Sequence, residues 1–322
     1  MAIRVSNLSK AFGDVQAVAD VSFEVSEGEL FGLLGPNGAG KTTTINMLTG
    51  LARPDSGSMA IGGIDCTENV KAAQHLIGVV PDESNLYPEL TGMENLTFCA
   101  SLYGISKHER TKRARQLLSD FGLSDAADRK FAGYSKGMKR KLTIAAGIIH
   151  QPPILFLDEP TTGIDVASAR QIRQLIAALN KDGATILLTT HYIEEAERLC
   201  ERIAFIVHGR IVRVDRVSVL LHPLYELHVA LIDLSEPAPI EIEPLISAFP
   251  DYQFEASNLG HIRVESTSQL AVGPIVRFLE ETGAEVAEAR RVRPSLEDVF
   301  VEITGIEADA MRREEEKAGG RK

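Results

Sequence analysis

The sequence predicts an α/β protein built on a parallel sheet, followed in the chain by a small α+β domain. Short, nearly continuous apolar runs, typical of strands buried on both faces, occur at 29–34, 154–157 and 185–189. A helical pattern from Ser168 to Leu179 separates the last two runs, and this order favours parallel strands with right-handed crossovers. The pattern changes near His222-Pro223, which predicts a second domain.

The first domain is predicted to have an antiparallel edge and a helical insertion. Residues 3–25 alternate apolar and polar side chains around a turn signal at Gly13-Asp14, as a hairpin does. The run at 29–34 leads through a glycine-rich turn into a helix from Thr43 to Leu48. The chain from about Glu94 to His150 is charged and helix-rich without strand signals, so we expect a helical subdomain over about 83–150.

The second domain is predicted to follow the order βαββαβ, as in a small α+β sandwich. Its expected elements are strands at 226–234, 253–257, 262–265 and 285–292, helices at 244–249 and 272–282, and a turn at 258–260. A last helix follows Pro294, where Ser295 and Asp298 match a capping box and Leu296, Val299, Phe300 and Ile303 share one face. The predicted domains are 1–221 and 222–305, with a charged tail at 306–322.

The composition is that of a soluble globular protein. The chain has 322 residues, 44% hydrophobic and 25% charged, which is enough for two cores. It has no run of about 18 apolar residues and no N-terminal signal pattern. Its three cysteines lack the paired spacing of zinc or redox motifs, which predicts a cytosolic protein. A net charge of -11 argues against general nucleic-acid binding.

A phosphate-binding loop is the strongest motif. Residues 35–42 fit G-x-x-x-x-G-K-[ST] between a predicted buried strand and a helix, the context that a P-loop NTPase requires. Backbone N–H groups and the helix N-terminus would bind phosphate, Lys41 would contact the β- and γ-phosphates, and Thr42 would bind Mg²⁺. The alternative, a glycine-rich turn without function, does not require that context. The candidate ATP-binding residues here are Gly35, Pro36, Asn37, Gly38, Ala39, Gly40, Lys41, Thr42 and Thr43.

Two carboxylates, Asp158 and Glu159, end the apolar run at 154–157. Open α/β sheets bind ligands at the carboxyl ends of their strands, so we expect Asp158 to bind Mg²⁺ directly or through water. Glu159 is then placed to polarise a water that attacks the γ-phosphate. Without the phosphate-binding loop, a solvated turn would be the better interpretation of this pair.

The segment Tyr134-Ser135-Lys136-Gly137-Met138-Lys139-Arg140-Lys141 resembles the signature motif of the ABC ATPase family. The other motifs stand in the order that the family has them, and the resemblance covers about residues 3–216. They are Val80-Pro81-Asp82 at the glutamine-loop position, Thr161-Thr162-Gly163-Ile164-Asp165 as the D-loop, and Thr190-His191 as the switch histidine. Phe12 matches the aromatic residue that stacks on adenine, although core packing is the better interpretation of Phe12 taken alone.

The resemblance implies a head-to-tail dimer of ATPase subunits, identical or different, with two ATPs at the interface. Ser135 and Gly137 of one subunit would then bind the ATP of the other, and Asp165 would belong to the same interface. Glu159, His191 and Asp82 are the implied catalytic residues, and Thr42, Asp158 and Asp82 the implied Mg²⁺ ligands. The implied partner is an integral membrane permease at the inner face of the cell membrane, and nucleic acid is not expected.

Two residues depart from the family pattern. Asp82 stands where glutamine is usual, and Lys136 stands where the signature has its first glycine. Asp82 can still offer Mg²⁺ or its water an oxygen, but it adds a negative charge near a triphosphate, so slow hydrolysis is one expectation. A degenerate site in a heterodimer is another.

The second domain is similar to that of exporter-type ABC ATPases of the antibiotic-resistance kind, through Arg293-Pro294-Ser295-Leu296-Glu297-Asp298-Val299-Phe300. We assign it no chemistry and expect a role in dimerisation or regulation. The main hypothesis is the ATP-hydrolysing subunit of an exporter. The alternatives are a soluble ABC ATPase acting on nucleic acid or ribosomes, and an ATP-binding interaction protein with little hydrolysis. The cargo is not readable from this chain.

Overall fold

A computed structural model describes residues 1–67, 69–222, 228–235, 241–257, 260–292 and 295–306. The chain divides into two compact units, Met1–Val217 with the chain from Ile303, and Ser218–Glu302. Several predicted features lie outside the described residues: the strand start at 226–227, the turn residues 258–259, Arg293-Pro294, and the tail beyond 306. That each predicted domain can function on its own stays a prediction.

The N-terminal residues form an antiparallel sheet in the order β2-β1-β4-β5. Its strands are β1 (Ile3–Phe12), β2 (Val15–Val25), β4 (Ser56–Ile61) and β5 (Ile64–Asp65). The predicted hairpin is confirmed, because β1 pairs antiparallel with β2 across Gly13-Asp14. Alternate side chains such as Ile3, Val5 and Leu8 are buried, which is why the sequence pattern has a period of two.

A second sheet of six strands carries the parallel core, in the order β10-β9-β3-β8-β7-β6. Its strands are β3 (Leu30–Leu34), β6 (Ile77–Val80), β7 (Ile154–Asp158), β8 (Thr185–Thr190), β9 (Arg202–Val207) and β10 (Arg210–Arg216). Only β10 runs antiparallel to its neighbour. Every residue of β3, β7 and β8 is buried, which confirms the three apolar runs as central strands. The sequence analysis did not identify β6, β9 or β10.

Helices connect these strands and build the insertion. They are α1 (Lys41–Thr49), α2 (Gly92–Leu102), α3 (Lys107–Asp120), α4 (Lys136–Ile148), α5 (Val166–Lys181) and α6 (Ile193–Leu199), with 3-10 turns at Val70–Leu76, Ser124–Ala126 and Phe131–Gly133. The predicted helical insertion is confirmed, because α2, α3 and α4 follow one another between β6 and β7. Thr91 and Glu94 form a full capping box at the start of α2, which fixes where the insertion begins.

The second unit has the predicted order βαββαβ. After α7 (Val217–Leu221), its elements are β11 (His228–Leu234), α8 (Glu243–Ala248), β12 (Gln253–Ala256), β13 (His261–Ser266), α9 (Val272–Glu281), β14 (Val286–Val292) and α10 (Leu296–Thr304). The strands form an antiparallel sheet in the order β12-β13-β11-β14. Ile275 and Leu279, one turn apart on α9, are buried in the core of this sheet.

The closing helix α10 differs from its prediction in two details. Leu296, Val299 and Phe300 are buried as expected, but Ile303 is 38% exposed. At its start, both the backbone N–H and the hydroxyl of Ser295 donate to the Asp298 carboxylate, at 2.7 and 3.1 Å. The serine hydroxyl therefore donates where a full capping box would have it accept. In the part of the chain that the structure describes, no helix is both long and apolar enough to cross a membrane.

A protein truncated to residues 1–221 should retain ATP binding. Each segment predicted to contact phosphate lies before His222, and the large unit has its own hydrophobic core, which includes Phe31, Met47 and Phe156. Isothermal calorimetry with ATP on the full and truncated chains checks this. A truncated protein with native circular dichroism that no longer binds ATP would contradict the boundary.

Candidate functional site

The predicted site residues meet at one edge of the parallel sheet. Strands β3, β8 and β7 are consecutive neighbours, with Leu34 paired to Thr190 and Asp158 paired to Thr189. Gly35, His191 and Glu159 directly follow these three strands. They therefore lie side by side where parallel strands end, which is the position at which open α/β sheets bind ligands.

The loop between β3 and α1 needs its glycines for steric reasons. A Cβ atom on Gly35 would lie 2.1 Å from the Ile206 carbonyl oxygen, and one on Gly40 would lie 2.4 Å from that of Ala17. Gly40 also has φ of 102°, a conformation that side chains disfavour. No side chain caps the N-terminus of α1, and its first turn has no acidic residue. The loop and helix start therefore form a cradle suited to an anion.

Lys41, the first residue of α1, places its ammonium group inside this cradle. Its side chain is only 5% exposed, and Nζ donates to the carbonyl oxygens of Gly35 at 2.7 Å and Pro36 at 3.1 Å. Nζ also lies 3.1 Å from Oε1 of Glu159. The site thus holds a buried positive charge beside the phosphate cradle and links it to the carboxylate at the end of β7.

Glu159 lies at the centre of the site in a strained backbone conformation. Its φ is 47°, in the left-handed region, and its N–H donates to the Thr189 carbonyl at 3.1 Å. Oε2 accepts a hydrogen bond from Thr162 Oγ1 at 3.1 Å and lies 2.8 Å from His191 Nδ1. Oε1 faces Lys41 in a geometry that forms no hydrogen bond. Both oxygens of this buried carboxylate therefore face a partner, Oε1 the Lys41 ammonium and Oε2 the Thr162 hydroxyl and His191.

The charge state of Glu159 follows from these neighbours. Burial alone would raise the pKa of the carboxyl group, but the hydrogen bond with His191 and the positive charge of Lys41 outweigh burial. The pKa of Glu159 therefore lies below its ordinary value, and the group is an ionised carboxylate at neutral pH. An ionised carboxylate at the carboxyl end of a strand beside the phosphate cradle can orient and polarise a water.

The residues predicted to bind Mg²⁺ suit that ion only together with a ligand. Asp158 is buried and accepts a hydrogen bond from Thr189 Oγ1, and Thr42 lies exposed in the first turn of α1. Among the described residues, no group of three or more His, Cys, Asp and Glu side chains is arranged to hold a metal. Mg²⁺ commonly takes one or two protein oxygens and completes its shell with phosphate and water. Thr42 and Asp158 fit that pattern.

The segment that resembles the ABC signature begins α4. Ser135 is its N-cap, and its hydroxyl accepts from the Met138 N–H at 3.3 Å. The next residue, Lys136, is exposed, whereas Gly137 is buried. A Cβ atom on Gly137 would lie 2.3 Å from Ser168 Oγ in α5, so this glycine is required within one chain.

Comparison with known proteins agrees with this geometry. The sequence model of the ABC transporter family matches residues 18–162. The doxorubicin resistance ATP-binding protein DrrA of Mycobacterium tuberculosis is 37% identical over 94% of both chains. This chain belongs to the ABC transporter ATP-binding family. The linearmycin resistance ATP-binding protein LnrL of Bacillus subtilis is 43% identical over 66% of this chain and 68% of its own.

The fold of this ABC ATPase also matches solved structures. A dimeric structure of the cassette MJ0796, in a post-hydrolysis state with ADP and Pi, superposes with a TM-score of 0.62. That match has 30% identity and covers 67% of this chain and 98% of the other. The prediction of an α/β core that binds and hydrolyses ATP is therefore confirmed, and the roles of individual residues stay predictions.

Phe12 of the ABC ATPase is placed differently from a core residue. Its ring is 55% exposed at the end of β1, with Lys10 Nζ 5.4 Å from its centroid, so the core-packing alternative was wrong. Phe12 pairs with Val15 across the hairpin, and Ala17, two residues further on, packs against Gly40 of the cradle. An exposed aromatic face beside the phosphate cradle suits the predicted stacking on adenine.

Asp165 and Asp82 also have contacts that the sequence did not predict. Asp165 is exposed and caps α5, since its carboxylate accepts from the Ser168 N–H at 2.9 Å. These backbone hydrogen bonds lower the pKa of Asp165. Asp82 is half-exposed and paired with Arg140 of α4.

Three residues that support the site were not predicted from the sequence: Arg140, Thr189 and Ser168. Thr189 contacts both acidic residues, because its hydroxyl donates to the Asp158 carboxylate and accepts from the backbone N–H of Glu159 at 3.2 Å. A signal existed for Arg140, which lies one turn before the apolar Ile144 on the buried face of α4. A charged residue on such a face indicates a buried ion pair.

Proposed function

We propose that this chain is the ATP-hydrolysing subunit of an ABC exporter and works as a dimer that drives a separate membrane permease. The observation that carries the proposal is the convergence of Lys41, Glu159 and His191 at the ends of adjacent strands. A phosphate cradle, a buried cation and an ionised carboxylate are the components that phosphoryl transfer to water requires.

Each side chain then has a physical task in hydrolysis. The backbone of residues 35–41 and the start of α1 bind the phosphates of ATP, and Lys41 balances their charge. Mg²⁺, held by Thr42 and Asp158, would supply further neutralisation of the phosphate oxygens. Glu159 polarises the attacking water, while His191 and Thr162 fix the position of its Oε2.

The proposal of a dimer is supported by two exposed segments, the start of α4 and the D-loop. The start of α4 with Ser135 and Lys136 is exposed, and its backbone N–H groups can bind an anion as those of α1 do. Gly163 and Asp165 of the D-loop are also exposed, as is Val166 at the start of α5, at 84%. We infer that Ser135, Gly137 and Asp165 face the ATP of a second subunit. Lys136 turns its ammonium to solvent, so the phosphate contact there needs only the backbone.

Export is supported by the relatives. The similarity to DrrA extends over 94% of this chain and therefore includes the second unit, and both DrrA and LnrL are named for resistance to an antibiotic. We infer that this chain lies at the inner face of the cell membrane, bound to its permease. The insertion is the proposed contact, because its apolar side chains Tyr87, Phe98, Leu102 and Tyr103 are exposed.

A tagged chain should co-purify from detergent extracts with a polytopic membrane protein at fixed stoichiometry. Leu102→Glu should weaken this association at least tenfold and leave ATP binding unchanged, because Leu102 is 69% exposed on α2. Leu51→Glu, at a leucine that is 76% exposed but outside the insertion, is the matched control. Recovery of the chain with ribosomes or nucleic acid, and not with membranes, would reject the proposal.

A further inference from the structure

An ion pair joins the loop after β6 to the helix that carries the signature. Nη2 of Arg140 lies 3.2 Å from Oδ1 of Asp82 and donates to the Asp82 carbonyl oxygen at 2.6 Å. Nη1 donates to the Pro81 carbonyl oxygen, also at 2.6 Å. Arg140 is only 8% exposed. One guanidinium group thus makes three contacts with two consecutive residues, which fixes its orientation.

A second contact lies one turn further along α4. The Thr143 hydroxyl donates to Ser84 Oγ at 2.8 Å. The segment 81–84 is therefore bonded to α4 at two levels, through Arg140 and through Thr143. Because a helix is stiff over such a short distance, the loop and the start of α4 should move as one body.

The pair also balances charge at the edge of the nucleotide site. Asp82 and Arg140 line a cleft of about 320 Å³ together with Lys136 and residues 162–164 of the D-loop. Burial, together with the nearby carboxylates of Glu159 and Asp158, raises the pKa of Asp82 above its ordinary value, although the charge of Arg140 acts to lower it. Arg140 therefore offsets a third carboxylate beside the two at the end of β7.

We propose that Asp82 acts through Arg140 as a positioning residue, so that the pair holds the signature segment of α4 in place. This inference rests on the proposed function, since it concerns the same ATPase site. It explains how aspartate serves at a position where the family has an uncharged glutamine. Arg140 cancels the added charge and takes up Oδ1, while the two backbone contacts anchor α4 to the loop.

A double-mutant cycle tests the pair, with Asp82→Gln, Arg140→Gln and the double variant. Arg140→Gln should lower kcat at least tenfold with a smaller change in KM, because it leaves the Asp82 carboxylate unpaired near Glu159. Asp82→Gln added to Arg140→Gln should recover part of kcat, because it removes the unpaired carboxylate, but not all of it, because the contacts of Arg140 with the backbone of residues 81 and 82 stay lost. The control is Arg113→Gln on α3, because Arg113 also pairs with a carboxylate and donates to a backbone carbonyl. Arg113→Gln should leave kcat unchanged.

Thermal unfolding of the nucleotide-free variants gives the second readout. The double variant should lose less in Tm than the sum of the two single losses. Independent effects in both readouts would overturn the proposal, and so would coupling in Tm without coupling in kcat, which would make the pair structural only. An equal shift in Mg²⁺ half-saturation on Asp82→Gln, with Arg140 present or replaced, would instead identify Asp82 as a metal ligand. Failure of the parent chain to hydrolyse ATP would contradict the proposed function. In that case the double-mutant cycle measured by Tm would still test the contact between Asp82 and Arg140.

Discussion

Glu159→Gln should bind ATP as the parent does, hydrolyse it about 10²–10⁴-fold more slowly, and accumulate as an ATP-bound dimer. Glutamine keeps the shape of the side chain and an oxygen for the Thr162 hydroxyl, which donates to Oε2 at 3.1 Å. It removes the negative charge that polarises water. Because that charge is needed in the chemical step and not in binding, kcat should fall while affinity is kept.

Single-turnover hydrolysis and size-exclusion chromatography with ATP measure these two effects. Glu29→Gln is the matched control, because Glu29 is also a buried glutamate in an ion pair, with Arg202, at the opposite end of β3. That variant should keep its turnover. Parental hydrolysis in Glu159→Gln would show that another group activates the water.

Lys41→Ala should weaken ATP binding about ten- to hundredfold, from the loss of about 1.5–3 kcal/mol of charged hydrogen bonding to phosphate. The Lys41 ammonium group is buried, so water does not take over its contacts with phosphate when the side chain is removed. The change also removes the Lys41 charge from beside Glu159, where it lowers the pKa of that carboxyl group. Turnover should therefore fall together with affinity.

Titration with a fluorescent ATP analogue measures the affinity. Lys71→Ala, at an exposed lysine of the same unit, is the control and should bind like the parent. Restored binding in Lys41→Ala/Glu159→Gln would show that repulsion by the unpaired carboxylate, and not the lost phosphate contact, caused the defect. Unchanged affinity in Lys41→Ala alone would remove Lys41 from the phosphate site.

The central strands were predictable because strands buried on both faces have nearly continuous apolar sequences. Strands β3, β7 and β8 are buried on both faces and have apolar sequences, whereas β6 has only four residues and β10, at the sheet edge, contains three arginines and an aspartate among its seven residues. The phosphate cradle was predictable because glycines mark the close approach of Gly35 and Gly40 to the backbone of Ile206 and Ala17.

The contacts between motifs were harder to predict from the sequence. The distance between Lys41 and Glu159 depends on the order of β3, β8 and β7 in the sheet, which no local pattern encodes. The Asp82–Arg140 pair joins residues 58 positions apart, and its geometry depends on how α4 packs on the loop after β6. Periodicity indicates that Arg140 faces inward but not which carboxylate it meets.

The left-handed backbone at Glu159 implies a conflict between the stability of the fold and catalysis. A residue other than glycine at φ of 47° costs about 1–2 kcal/mol relative to an unstrained backbone, and here it also carries a buried charge. A glycine at this position would remove both the backbone strain and the buried charge. Selection for thermal robustness alone would therefore replace the residue that catalysis needs, and libraries screened only for heat resistance should be expected to yield inactive proteins at this position.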